Sequence, residues 1–287
     1  MNRLLVFTII MAAVMSGCKR IGNNPEIPHV IEISEFSLST NLDQGTNSHS
    51  IEEVWVYTTT DVLGAFPLPA TIPYIDEDGD GLVDLEISAC IKANGIASTR
   101  RVFSFYESMD VLVDFEPGDT TSFVYNSEYI EAANIILCED FESANRFQAN
   151  STSTADIVRT NDPDLVFEGE YSGMVLLGDS TSHLMSTTQE QLYFLPKSGP
   201  MWMEFNYKCD NSFAVGLDVI GGTTPQRVPI LVLHPSPDDW NKIYLDLGPL
   251  VWSTPTAYGY EITLDAILDA GKDTSYVLVD NFKIVHD

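Results

Sequence analysis

Leu82-Val-Asp-Leu-Glu-Ile87 alternates apolar and acidic residues, and that alternation decides the fold. In a strand, successive side chains point to opposite faces, so a period of two buries one set and hydrates the other. The same pattern recurs in Glu35-Phe-Ser-Leu-Ser39, Glu53-Val-Trp-Val-Tyr57 and Val111-Leu-Val-Asp-Phe115. Gly, Pro, Asp and Asn bound these runs, and Glu116-Pro-Gly-Asp119 reads as a turn between two of them. Further strands are predicted at Tyr171 to Leu177, Met201 to Tyr207, Phe213 to Ile220, Val228 to Leu233, Lys242 to Leu247, Tyr258 to Leu264 and Tyr276 to Val285. A spacing of about ten residues suits a β-sandwich. Helical periodicity is almost missing: Glu128 to Leu137 has room for one helical turn, and Leu264 to Ala270 reads either way. The expected fold is all-β.

The chain has 287 residues, 42 Asp and Glu against 14 Lys and Arg, and a net charge of −28. Phosphate recognition needs clustered Lys and Arg, so a nucleic-acid partner is not expected. With 44% hydrophobic and 10% aromatic residues, there is material for a core. At about 150 residues per domain the length predicts two. We place the boundary near Tyr125 to Ala133, giving one sandwich at 31–127 and a second at 128–287.

Met1-Asn-Arg3 is a short basic start, and Leu4 to Met15 is apolar except for Thr8. Twelve residues are too few to cross a bilayer core, which needs about 20, but they fit the apolar region of a signal peptide. Ser16-Gly-Cys18 then resembles a bacterial lipobox, with Met15 where Leu is usual. The resemblance implies cleavage of residues 1–17 and acylation of Cys18, with 18–30 as a lipidated tether. The plainer alternative is an ordinary signal peptide cut after Gly17. Each buried CH₂ adds about 0.8 kcal/mol, so a multi-acyl anchor would hold the chain at the membrane. Lys19-Arg-Ile-Gly-Asn-Asn24 lacks the acidic run that resembles a surface-export signal, so the expectation is an outer-membrane lipoprotein with its face left open. Cys90, Cys138 and Cys209 remain; one Cys138–Cys209 disulfide and three free thiols are both open readings.

Val54-Trp-Val-Tyr57 followed by Leu63-Gly-Ala-Phe-Pro-Leu-Pro-Ala70 resembles PEGA-type and other immunoglobulin-like sandwiches. The second half resembles galactose-binding-like jelly rolls of the carbohydrate-binding-module type. The matching pieces are Asp140-Phe-Glu142, Gly169-Glu-Tyr-Ser-Gly173, Asp239-Trp-Asn-Lys-Ile-Tyr-Leu-Asp-Leu247 and Val279-Asp-Asn-Phe-Lys-Ile284. Lipobox included, the whole is similar to surface lipoproteins of Bacteroidota-type bacteria. The jelly-roll resemblance implies a structural calcium held by Glu142, Asp280 and carbonyls of Tyr171 to Gly173, with Asp140 as a substitute. The alternative is an exposed polar strand start at Asp280-Asn281.

Asp76-Glu-Asp-Gly-Asp-Gly-Leu-Val-Asp84 places Asp76, Asp78, Asp80 and Asp84 at positions 1, 3, 5 and 9 of an EF-hand-like loop, with Gly81 at 6. A hard cation takes six to eight oxygens, and this spacing wraps them around one point. Position 12 is Ile87, with Glu86 one residue early, so the alternatives are calcium in a β-hairpin and an acidic turn. Gly178-Asp-Ser-Thr-Ser182 imitates the nucleophile block of GDSL-type esterases, but the helices of that fold are missing and a turn is the expected reading. The histidines 29, 49, 183, 234 and 286 share no metal spacing.

Trp202, Trp240, Trp252, Tyr258 and Tyr260 are candidates for stacking on sugar. Trp252, Tyr258 and Tyr260 are favoured because they fall in or near the Val251 to Tyr260 loop. The leading expectation is a lipid-anchored, non-enzymatic envelope protein that binds a glycan through its second sandwich. The rivals are an assembly subunit contacting an envelope protein, and a glycosidase- or esterase-like hydrolase.

Overall fold

The computed structural model describes residues 27–76, 81–188 and 193–287. Cys18, Asp78 and Asp80 lie outside the described residues. The architecture is all-β, as the alternation predicts: among the described residues one helix, α1 (Gly248–Ser253), accompanies the strands.

The first sandwich uses β1 (His29–Ser39), β2 (Glu53–Thr58), β3 (Val62–Pro67), β4 (Ala70–Tyr74), β5 (Leu82–Lys92), β6 (Arg100–Val102), β7 (Met109–Asp114) and β8 (Thr120–Glu128). One sheet runs β4-β1-β8, with β1 and β8 parallel; the other runs β3-β2-β5, with β6 and β7 both paired to β5. In β5 the alternation is realised: Val83, Leu85 and Ile87 enter the core while Leu82, Asp84 and Glu86 face out. Glu116 to Asp119 is the turn read from sequence, with Gly118 at φ +89°. β1 starts at His29, not Ile31, because the His29 ring stacks on Phe115 at 4.1 Å and contacts the Thr121 hydroxyl at 2.9 Å. The first strand therefore begins two residues before the expected sandwich start at residue 31.

The second sandwich has a six-stranded and a five-stranded sheet. The first is β11 (Ile157–Thr160), β12 (Ser172–Gly178), β19 (Thr274–His286), β14 (Met201–Cys209) and β17 (Ser236–Asp246), with β9 (Asn134–Glu139) also on β19. The second is β10 (Gln148–Ala149), β13 (His183–Thr187), β18 (Gly259–Ile267), β15 (Phe213–Ile220) and β16 (Gln226–Leu233). Phe141, Phe147, Phe205, Phe213, Leu264 and Phe282 fill the space between them, Phe205 stacking on Phe282 at 4.6 Å. Neither segment with a helical alternative forms a helix: within Glu128 to Leu137, Ile130 to Ala133 is a turn that leads into β9, and within Leu264 to Ala270, Leu264 to Ile267 closes β18. The described cysteines Cys90, Cys138 and Cys209 are buried free thiols, and burial pushes Cys138 up to about 12.

Trp202, Glu204 and Asn206 alternate off the core on β14, and the structure shows what they face. Trp202 joins the aromatic cluster of the first sandwich, 6.1 Å from Phe103. Glu204 is fully buried, with Lys242 at 2.9 Å and the Tyr129 hydroxyl donating to both carboxylate oxygens at 3.1 and 3.2 Å. Lys283, opposite Glu204 on β19, donates to the carbonyls of Gln44 and Thr46 at 2.9 and 3.1 Å. The Ser48 hydroxyl donates to Asn206, and the Tyr106 and Tyr244 hydroxyls stand 3.4 Å apart. A charged, hydrogen-bonded layer thus joins the outer face of the six-stranded sheet to the first sandwich.

Removing one member of a buried ion pair leaves the other uncompensated. Glu204→Ala should therefore cost about 3–5 kcal/mol in denaturant unfolding. Glu52→Ala, which breaks the exposed Lys92 pair, should cost only ~0–1 kcal/mol. Equal costs for the two variants would contradict this account of the junction.

Candidate functional site

β19 changes partner in mid-strand. Thr274 to Val279 pair with β12, and Phe282 to His286 pair with β9. Asp280 and Asn281 lie between, with Asn281 at φ +54°, a region in which Asn is favoured among non-glycine residues. The gap between the end of β9 and the start of β12 opens a cavity of about 310 Å³. Glu139, Asp140, Glu142, Glu168, Asp280 and Lys283 line it, together with Gly45 and Thr46 from the first sandwich.

Its carboxylates are held by backbone amides and side-chain donors. Glu142 accepts from the Glu170 and Tyr171 amides at 2.9 and 3.0 Å. Gly169 has φ +70°, where glycine is favoured, and a Cβ there would fall 2.2 Å from the Glu142 oxygen and push the carboxylate off these amides. Asp280, 1% exposed, accepts from the Ser172 hydroxyl at 2.5 Å and the Asn281 amide at 2.8 Å. Burial raises its carboxyl to about 8; Glu168 and Glu142 push further upward, against the two hydrogen bonds. Buried Glu139 accepts from the amides of Phe141 and Arg146 and is also raised, chiefly by burial.

The structure thus brings Glu142 and Asp280 to one cavity, with Asp140 on its wall and Tyr171 beside it. Among the described residues, no three His, Cys, Asp or Glu side chains stand together as a ready metal cage. The donor chemistry nonetheless suits a hard cation: the anionic donors are all oxygen, and the charged groups that shift Asp280 are themselves carboxylates. Glu142 and Asp280 would hold the ion, which would supply charge compensation and brace the break in β19.

Beside the cavity, and sharing Glu168 and Gly169 with it, lies an open cleft of about 490 Å³ in the β11–β12 loop. Local hydrogen bonds shape that loop. The Asp162 carboxylate accepts from the Asp164 amide, the Asp162 carbonyl accepts from the amides of Leu165 and Val166, and the Phe167 amide donates to Ser172 Oγ. Phe167 and Tyr171 supply aromatic surface, and Asn161, Glu168 and Glu170 supply polar groups. The Trp240 ring braces Phe167 at 5.3 Å. The Arg159 guanidinium lies 3.8 Å from the centre of the Tyr171 ring and donates to the Glu142 carbonyl at 2.7 Å, tying cleft to cavity.

The aromatic residues favoured from sequence do not form one platform. Trp252 and Tyr258 are 46% and 58% exposed, with Trp252 closely covering Gly248. Tyr260 is fully buried, its hydroxyl 2.8 Å from Thr254 Oγ1 and 2.5 Å from Lys197 Nζ, so it offers no face to a sugar. The Val251 to Tyr260 stretch starts in α1, which folds Tyr260 beneath it. In the acidic loop, Asp76 accepts from the Gly81 amide at 2.9 Å, while Asp84 lies exposed in β5 opposite Leu112. Phe167 is not among the sequence candidates; its signal is Phe167-Glu-Gly-Glu-Tyr171, aromatics flanking acids in a loop. Gly178 to Ser182 is a tight turn between β12 and β13, and His183 Nδ1 contacts Thr154 at 3.4 Å.

No protein-family model matches the chain, and no curated protein matches it. Among solved structures, a carbohydrate-binding module of the β-sandwich superfamily, from a study of promiscuous specificity, is 14% identical, covering 80% of this chain and 83% of its own, at TM-score 0.37. A xylan-binding domain from Paenibacillus barcinonensis is 16% identical over 52% of this chain and 98% of its own, at TM-score 0.37. A module in complex with β-1,4-galactotriose is 14% identical over 52% and 95%, at TM-score 0.35. At these similarities, the functional reading rests on this chain's own residues.

The raised Asp280 gives a pH signature in chelator. The folded carboxyl binds its proton more tightly than the unfolded one, ordinarily near 3.8, so the native state holds more protons between about pH 4 and 8. Stability should fall as pH rises through that window. Asp280→Asn should flatten the fall, and millimolar calcium should restore wild-type stability without helping the variant. Parallel pH profiles with and without the Asp280 carboxyl would contradict the assignment.

Proposed function

We propose that the chain is a lipid-anchored, non-catalytic envelope protein that binds a neutral glycan in the β11–β12 cleft. The observation that carries the reading is the pairing of Phe167 and Tyr171 with Asn161, Glu168 and Glu170 around one open, sugar-sized space. Aromatic faces take the C–H side of a pyranose, and flanking acceptors and amides take its hydroxyls. The acids around the cleft disfavour an anionic polysaccharide. A calcium ion at Glu142 and Asp280 would stiffen the cleft through the backbone of Glu170 and Tyr171. A hydrolase is disfavoured because Gly178 to Ser182 forms a turn and, among the described residues, no Ser–His–acid relay is recorded there. Among the described residues no helix is long and apolar enough to cross a membrane; the anchor in this reading is the Cys18 lipid, at the bacterial outer membrane.

Glycan-array screening of the full chain, followed by titration with the best neutral hit, tests the cleft. Tyr171→Ala and Phe167→Ala should each weaken binding about tenfold, near 1.4 kcal/mol, and Trp252→Ala should leave it unchanged. Loss through Trp252 alone would move the site to α1. For the anchor, metabolic labelling with a fatty-acid analogue should mark the wild type and not Cys18→Ser; equal labelling would refute the lipid.

A further inference from the structure

The outer face of the first sandwich carries a second aromatic surface that the distal cleft does not use. Trp55 and Tyr57 alternate on β2 and point away from the core, with ring centres 6.1 Å apart and planes 18° from parallel. Their register neighbours on β5 are Ser88 and Glu86, and Glu86 in turn faces Asp110 on β7. Ser88, the residue opposite Trp55, and Cys90 lie on this outward face yet are buried. A cavity of about 340 Å³, bounded by Thr58, Asp84, Glu86, Asp110 and the exposed Leu112, adjoins this face through Glu86, the register neighbour of Tyr57.

Charge selects the occupant. Among the described residues, no ion pair is recorded for Asp84, Glu86 or Asp110; Arg100, on the same sheet, is taken by Glu53 and Lys92 by Glu52. Aromatic faces are negative, so rings and carboxylates attract the same species, an organic ammonium. The flat rings favour a pyranose face, and the adjoining acids favour an amine on the same ligand. A lysine side chain satisfies only the second of these, and a neutral sugar only the first.

We infer that the Trp55–Tyr57 face of the first sandwich is a second binding site, for a glycan bearing free amino groups. The sugar ring lies on the aromatic pair, and its ammonium groups enter the cavity beside Asp84, Glu86 and Asp110.

The test titrates the full chain in detergent with a β-1,4-glucosamine oligomer and with its N-acetylated counterpart, which keeps the ring and loses the charge. The aminated oligomer should bind, and its affinity should fall as salt rises. Trp55→Ala and the double variant Asp84→Asn/Glu86→Gln should each lower that affinity about tenfold or more. Tyr171→Ala should leave it unchanged, which separates this site from the distal cleft. Equal affinity for both oligomers overturns the inference, as does binding that survives Trp55→Ala and vanishes only with salt, which is charge adhesion alone. Loss on Tyr171→Ala overturns it too. If Trp55→Ala fails to fold, the double variant decides alone, since exposed Asp→Asn and Glu→Gln preserve shape, and unchanged affinity there refutes the site.

Discussion

The Glu204 carboxylate is the group around which the two sandwiches meet. A charge at zero exposure is tolerable only with partners, and Glu204 has them from both sides: Lys242 on the adjoining strand and the Tyr129 hydroxyl from the segment that leaves the first sandwich. Lys283 stands on the next strand over, where burial lowers it to about 8 against the pull of Glu204. Its ammonium is spent on the carbonyls of Gln44 and Thr46. Purely apolar contact would permit sliding, whereas this set of directional bonds fixes one register. Aromatic packing of Trp202 and Tyr244 against Phe103 surrounds it and keeps water out.

That fixed junction has consequences for the site. Gly45 and Thr46 form part of the acidic cavity's wall, and their loop is held there by Lys283 on the Thr46 carbonyl, Thr40 on the Gly45 carbonyl and Ser48 on Asn206. The same strand that carries Lys283 carries Asp280, three residues away, at the point where β19 passes from β12 to β9. The junction, the carboxylate cavity and the aromatic cleft are thus adjacent: Lys283 and Asp280 share β19, Asp280 and Glu142 line one cavity, and Arg159 bonds the Glu142 carbonyl while lying on the Tyr171 ring.

Period-two alternation made most of the fold legible, and it worked best where one face is wet, as in β5. It was less informative on β14. There both faces are buried, one in the core and one at the junction, and sequence offered no reason to send Trp202 either way. Glu142 and Asp280 were legible as neighbours through the paired first and last strands of the resembled jelly roll. Tyr260 was misjudged because α1 is too short to show a periodicity and hides the residue it covers. Phe167 has a local signal in Phe167-Glu-Gly-Glu-Tyr171, but its packing against Trp240, 73 positions away, leaves none. Contact between a loop and a distant strand leaves no local pattern, whereas pairing between strands does.

The central functional claim is that ligand enters between Phe167 and Tyr171. Amide chemical-shift mapping of the full chain in detergent, titrated with a bound neutral oligosaccharide, tests it most directly. The account predicts that the shifts concentrate in the 161–171 loop and spread through Ser172 toward Asp280. Shifts centred on Trp252 and Tyr258, with the 161–171 loop silent, would contradict it.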